Sequence, residues 1–366
     1  MKLETTVEKI KDAVSRVQKV SAKNLSLPIL ENVLLLAEKN TLTLRSTNLH
    51  VGVEVSVPVK IETEGTILVK LDVFASIVSG LSAEHKIKLE VVENTLLITT
   101  EKSSMNIKLF PHDDFPSLPR VEDANTFSLP VDILLEGVSS VVYAASSSDI
   151  KPEISSVYIY SENNEIVFVA TDSFRLAEKR IPAGSVADFP GIIIPIKNIQ
   201  ECIKIFTGIN GSVEVSLGQN QISLQAEDIY FTSRIVDGNY PDYKQIIPKD
   251  SKTSAVVLKD ELIQSLRLVN VFSDKFNQVL MSVDKAGGSI HIHSRNTDVG
   301  ENKTAVDAVV DGDNIESYLN HKYLTDAFSS LHGDSISFSF TEKNKPCIVR
   351  SVGDTSFFYL IMPMNR

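Results

Sequence analysis

Several side chains able to do chemistry crowd into one short stretch, Thr171-Asp172-Ser173-Phe174-Arg175, inside "FVATDSFRLAEKR" (168–180). A carboxylate beside a hydroxyl suggests an acid paired with a nucleophile. Such a pair works only when a histidine or another base is held against the nucleophile. Phe174 stands where that base would be wanted, so catalysis is disfavoured. His291 and His293 alternate along one strand and share a face, as metal ligands sometimes do, but two exposed strand residues are the commoner reading. "HDD" at 112–114 lies in a proline-rich segment and reads as a solvated turn. Neither a glycine-rich phosphate loop nor a CxxC pair is present. No cofactor, no metal and no catalytic residue are expected.

The elements around these residues are those of a globular chain. Its 366 residues exceed one ordinary domain, and 43% hydrophobic with 23% charged residues leaves enough apolar surface for two or three cores. No apolar run approaches the ~18 residues of a membrane span, and "MKLETTVEKIK" lacks the apolar stretch of a signal peptide. Cys202 and Cys347 cannot form a disulfide framework, so a reduced, cytoplasmic setting is expected. The net charge of −11 argues against wrapping tightly on DNA. The charge is uneven, however. Residues 1–25 carry six Lys/Arg against three Asp/Glu, whereas residues 111–190 carry five against thirteen. A local nucleic-acid face therefore stays open.

A repeat explains the organisation. "LTLRSTNLHVGVEV" (42–55), "IVFVATDSFRLAEKR" (166–180) and "SIHIHSRNTDVGENKTAV" (289–306) each read as strand, polar turn and strand, with Asn48, Asp172 and Asn296 spaced 124 residues apart. Helical apolar patterns open each third at 7–20, 131–145 and 259–272, and second helices are expected at 73–81, 199–208 and 323–333. Alternating strand pairs follow each second helix. "FPHDDFPSLP" (110–119) and "VDGNYPDYKQIIP" (236–248) read as exits from one repeat to the next, because their prolines cannot continue a central strand. The expected fold class is α+β: three tandem copies of a domain with two helices on antiparallel sheet, at 1–123, 124–249 and 250–366. In this frame Asp172 is first of all a turn residue.

Those residues also resemble a known family. "VATDSFRLA", "VDGNYPDYKQIIP", "YLIMPM", "SLPILENVLL" (26–35) and "SDKFNQV" (273–279) are similar in order and spacing to segments of the bacterial DNA polymerase III β subunit family, the replicative sliding clamps. The resemblance covers the whole chain. It implies a head-to-tail homodimer that forms a ring of six domains around double-stranded DNA and tethers the replicative polymerase without catalysis. A ring of this kind needs two different, complementary edges.

The resemblance also implies a pocket for short peptide motifs of the polymerase, the clamp loader and repair proteins. The matching positions are Ile154, Thr171, Ser173, Phe174, Arg175, Leu176, Pro241, Gln245, Ile246, Phe276, Asn320, Tyr323, Pro346, Ile361, Met362, Pro363 and Met364. Methionine and proline suit such a pocket because they offer adaptable apolar surface. Arg175 is expected to act as an exposed rim charge of modest effect. The family commonly has histidine at the place of Phe174, and often an arginine at or beside the chain end, where Asn365-Arg366 stand.

DNA-facing groups are implied at Lys9, Arg16, Lys23, Lys151 and Lys197. Lys9, Arg16 and Lys23 fall seven apart, within roughly 40° of one another on a helix. A dimer interface is implied between Met105 and Ile107 on one side and Val271 and Phe272 on the other. A three-repeat interaction scaffold that never encloses DNA is the alternative, and an enzyme with an interdomain site comes third.

Overall fold

The structure is a computed structural model that describes residues 1–20, 27–82, 86–121, 125–182, 184 and 188–365. Lys23, Arg366 and the expected boundary at 123/124 lie outside the described residues. Among the described residues six α-helices alternate with antiparallel strands: α1 (Val7–Val17), α2 (Leu71–Gly80), α3 (Val131–Val141), α4 (Ile196–Phe206), α5 (Lys259–Val271) and α6 (His321–Ala327). None among the described residues is long and apolar enough to cross a membrane.

The apolar spacing of the sequence becomes burial. In α1 the residues Val7, Ile10, Ala13, Val14 and Val17 are buried, and the helix packs on α2 and on the strand Val51–Pro58. Each aliphatic side chain so buried contributes about 1.5–3 kcal/mol before entropy is subtracted. The expected helix 131–145 is shorter as an α-helix. After Val141, at φ −123° and ψ −24°, the chain tightens into a 3-10 turn, Val142–Ala144. Gly137 lies inside α3, where glycine is unfavourable. A Cβ there would come 2.2 Å from the ring of Phe168, which is fully buried. The third repeat's second helix begins at His321 rather than 323, because the Asn320 carboxamide accepts from the Lys322 and Tyr323 N–H groups.

The chain divides into two compact units, residues 1–135 with 197–235, and residues 136–196 with 236–366. Among the described residues the first contains a thirteen-stranded sheet and the second a twelve-stranded one. These units cut across the repeat, and strand pairing is the reason. Ile229–Arg234 of the second repeat runs antiparallel to Val51–Pro58 of the first, with Ile229 opposite Val55 and Ser233 opposite Val51. Phe357–Ile361 of the third repeat runs along Arg175–Pro182 of the second, with Ile361 opposite Arg175. The hydrogen-bonded ladders therefore weld neighbouring repeats, and the central repeat contributes to both units.

Candidate functional site

Asp172 is a turn residue, as its place in the repeat suggests. Its Oδ1 accepts from the N–H groups of Phe174 and Arg175, both at 2.9 Å, and Thr171 Oγ1 donates to the Arg175 carbonyl at 2.6 Å. Ser173 sits at φ +76°. The turn at Asn48 repeats each of these features. Asn48 Oδ1 accepts from His50 and Val51 N–H (3.0 and 2.8 Å), Thr47 Oγ1 donates to the Val51 carbonyl (2.8 Å), and Leu49 sits at φ +72°. The third copy departs from this. Arg295 pairs with Glu301 where Thr171 meets Leu176, so this turn holds one residue more. Asn296 joins the ladder opposite Gly300, the positive φ (+132°) falls on Gly300, and the Asn296 carboxamide donates to the Ser273 carbonyl. Sequence register alone does not reveal that extra turn residue.

The two segments that the resemblance assigns to one pocket meet in the second unit. Met362 N–H donates to the Phe174 carbonyl at 2.8 Å, and Met364 N–H donates to the Tyr318 carbonyl at 2.7 Å. Arg175 lies 4.4 Å from the centre of the Tyr323 ring. Gln245, Ile246, Pro346 and Met362, with Ile247, Pro248, Lys249 and Lys345, line a groove of about 490 Å³. Phe174, Ile246 and Phe276 are exposed, as are Ser173, Pro241 and Gln245. Ile154, Asn320, Tyr323, Met362, Pro363 and Met364 are half-buried.

Four of the expected pocket residues are interior. Thr171 is held in the turn, Pro346 is buried beneath the groove, and Leu176 and Ile361 have no exposed surface. Leu176 packs with Val167, Val169, Tyr243, Phe358 and Leu360, and Met362 lies against that cluster. A ligand in the groove can meet Met362 but not the Leu176 side chain. Arg175 is not a free rim charge either. Its Nε bonds Asp172 Oδ2 at 2.9 Å, its Nη1 bonds Asp326 Oδ2 at 2.6 Å, and only 11% of its side chain is exposed. Removing it would leave two carboxylates without their cation, which costs more than losing an exposed charge.

The matching place in the first unit has no such cation. Glu201 corresponds to Asp326, and Val51 to Arg175. Both Glu201 oxygens lie 3.4 Å from Asn48 Nδ2. Burial raises the Glu201 carboxyl to about 7, although Asn48 and Lys204 act in the opposite direction. The folded value lies above the unfolded one, so this contribution to stability is full below pH ~4.5 and is lost as the pH rises through ~7. Glu201→Gln is expected to raise stability by about 1–2 kcal/mol at pH 8 and not at pH 4, a difference readable as Tm at the two pH values.

The basic residues separate by environment. Lys9, Lys151 and Lys197 are exposed. Arg16 differs from expectation. Its Nε bonds Asp12 at 2.9 Å, while Nη1 donates to the carbonyls of Ile205 and, at 3.5 Å, Thr207. It thus covers the last carbonyls of α4, a favourable place for a cation. Arg16→Ala should lower stability by about 1–2 kcal/mol, or roughly 2–8 °C in a thermal melt.

His291 and His293 do not gather ligands. His293 Nε2 lies 3.3 Å from Glu301, His291 Nε2 lies 3.3 Å from Ser289 Oγ, and no metal-holding group of three or more His, Cys, Asp or Glu occurs among the described residues.

Ser104–Phe110 and Gly300–Asp311 are among the strands left partly unpaired in the described residues. Ser104–Phe110 pairs along its length with Thr95–Thr99, but on its other side only Leu109 and Phe110 are engaged, by Val69 and Leu68. Gly300–Asp311 pairs with Ser289–Asn296, but on its other side only Ala308–Asp311 meet a neighbour, Ser254–Val257. Of the expected interface residues, Val271 is exposed, Met105 and Phe272 are half-buried, and Ile107 is interior at 4% exposure. Met105 and Ile107 share the face of the strand that turns toward its own chain's core, and Ser104, Asn106 and Lys108 take the exposed one, because alternate residues of a strand face opposite ways. Sequence patterning did not single out the free edge of Gly300–Asp311, because an edge strand and a paired strand alternate alike.

Comparison with known proteins fits this geometry along the whole chain. Family models for the N-terminal, central and C-terminal domains of the DNA polymerase III beta subunit match residues 1–119, 128–242 and 244–365. The beta sliding clamp of Bacillus subtilis is 28% identical over 377 residues, covering all of both chains, and that of Synechocystis is 29% identical over 390 residues, covering 100% of this chain and 99% of the relative. The crystal structure of the Bacillus subtilis clamp superposes with a TM-score of 0.94 at 27% identity, covering 100% and 99% of the two chains. That of a Bartonella birtlesii clamp bound to griselimycin gives 0.94 at 27% identity, covering 100% of both. With three tandem clamp-type domains matched in order, the chain belongs to the DNA polymerase III beta subunit family of sliding clamps, which are processivity factors without catalytic activity of their own.

Proposed function

We propose that two of these chains close head to tail into a ring of six domains that encircles duplex DNA, with repeat boundaries near 123/124 and 249/250. One observation carries this reading. Within the chain, Ile229–Arg234 pairs with Val51–Pro58, and Phe357–Ile361 with Arg175–Pro182. The remaining strands of the same two kinds are Ser104–Phe110 and Gly300–Asp311, and each carries an open edge. Joining one chain's edge to the partner's complementary edge uses both and leaves neither exposed to uncontrolled pairing. Val271, Phe272 and Met105 flank the seam.

Lys9, Lys151 and Lys197 are the DNA-facing cations of this reading, and few such contacts imply weak, salt-tolerant binding through topology rather than affinity. On nicked circular DNA the loaded ring should persist, and it should slide off after linearisation. Equal loss from both would leave the interaction scaffold as the better reading. Lys197→Glu with Lys9→Glu should impair loading while the dimer mass is unchanged.

The groove and the surface beside it, from Phe174 and Ser173 to Gln245, Ile246, Phe276, Tyr323, Pro346 and the tail Met362–Met364, form the peptide-docking site of this proposal. Polymerase, clamp loader and repair proteins would exchange there through short motifs. Adaptable Met and Pro walls suit many sequences. Griselimycin, the ligand of the Bartonella relative, is a ready probe, and titration calorimetry of the full chain should give one site per protomer.

A further inference from the structure

Each weld between repeats hides a glutamate. Glu54 and Glu178 stand 124 residues apart and are 6% and 4% exposed. A buried carboxylate is tolerable only when charges or hydrogen bonds answer it. The two are answered differently. Glu54 takes Arg45 Nε at 2.6 Å and the Arg120 guanidinium, and Arg120 itself lies 3.8 Å from the Tyr230 ring centre. Glu178 takes Arg180 Nε at 2.6 Å on one oxygen and the Tyr243 hydroxyl on the other. Tyr160 in turn donates to the Tyr243 oxygen at 2.8 Å. Burial, with the Glu178 charge beside it, pushes the Tyr243 phenol far up, so it keeps its proton to donate.

The exit segments differ accordingly. After Phe115-Pro116 the first exit lays Leu118 directly over Gly52, so closely that a Cβ on Gly52 would come 2.3 Å from it. A small cavity of about 150 Å³ lies there. In the second exit, Tyr243 takes the place of Leu118 and Leu176 that of Gly52. The chain then winds into the 3-10 turn Tyr243–Ile246, which puts Gln245 and Ile246 on the wall of the 490 Å³ groove.

We propose that the Tyr243–Glu178 hydrogen bond is the positioning contact that holds this turn as a groove wall, and that a tyrosine in place of a second arginine on the buried glutamate is what shapes the docking groove of the second weld. Tyr243 is then a positioning residue for ligand binding, reached by no ligand itself. The inference rests on the docking site proposed above.

Four arms of one experiment separate the positioning role from the docking site. Tyr243→Phe removes a single hydroxyl and keeps the buried ring. Griselimycin affinity should fall about tenfold, the scale of one lost hydrogen bond to a charged group. Amide exchange at Lys244–Ile247 should quicken, while the 172–175 turn and the dimer mass stay unchanged. Tyr160→Phe leaves the Tyr243–Glu178 bond in place and should change affinity less than Tyr243→Phe. In the wild-type protein, griselimycin should slow exchange at Lys244–Ile247, a measurement that holds even if Tyr243→Phe does not assemble. Ligand binding that leaves exchange at this turn unchanged, or equal affinity in Tyr243→Phe, overturns the positioning role alone. Failure of the wild-type protein to bind, or binding unaffected by loss of Met362–Arg366, overturns the docking site and this inference with it.

Discussion

Protein carrying Phe272→Asp or Asn106→Pro is expected to run as a single 40.3 kDa chain at micromolar concentration, and the unaltered protein is expected at twice that mass. The two changes attack the seam differently. Phe272 is half-buried, with its ring facing Gly300 at the start of the open strand, and exposed Val271 (62%), Val299 (61%) and Leu268 (54%) belong to the same repeat. A carboxylate buried among such side chains costs several kcal/mol, and anchors of this kind typically carry 2 kcal/mol or more, so dissociation should strengthen by about 30-fold or beyond.

Asn106→Pro acts on the backbone. Leu109 N–H bonds the Asn94 carbonyl and Thr100 N–H bonds the Ser103 carbonyl, which sets the phase of that ladder. Inward bonding then falls to Met105 and Ile107, and the N–H of Asn106 points out to the open edge. Proline removes that outward donor while sparing the inner ladder. Sedimentation or light scattering reads the result. A dimer that survives both changes would rule out this seam.

Loss of Met362–Arg366 is expected to weaken griselimycin binding by about 100-fold or more and to leave the dimer and its Tm nearly unchanged. The deletion removes two methionine anchors, each contributing about 1.5 kcal/mol or more when covered by a ligand. It also removes the bonds from Met362 N–H to Phe174 and from Met364 N–H to Tyr318 that hold the tail in place. Ile361, the last fully buried residue, stays, so the core cluster beneath keeps its members apart from the half-buried Met362. Calorimetry of the two proteins decides the matter. Equal affinity would reduce the tail to the end of a strand.

Features that repeat at short range are legible in the residues alone. Val7, Ile10, Val14 and Val17 recur at helical spacing and are the buried face of α1. Asn48 and Asp172 close tight turns because their side chains reach backbone N–H groups two and three residues ahead. The 124-residue spacing showed three copies because each copy must rebuild the same local elements.

Tertiary structure decided what depends on partners far along the chain. Arg16 reads as a surface cation beside Lys9, yet its guanidinium closes the end of α4, nearly 190 residues away. Arg175 reads as a rim charge, yet Asp326 holds it from 151 residues away. Leu176 and Ile107 look like any strand residue of their pattern, and only what packs against them bears out their burial, as Tyr243 from the exit segment does for Leu176. The repeat also could not show that compact units would straddle its boundaries, because a strand's alternation records which face is buried and not which neighbour supplies its hydrogen bonds.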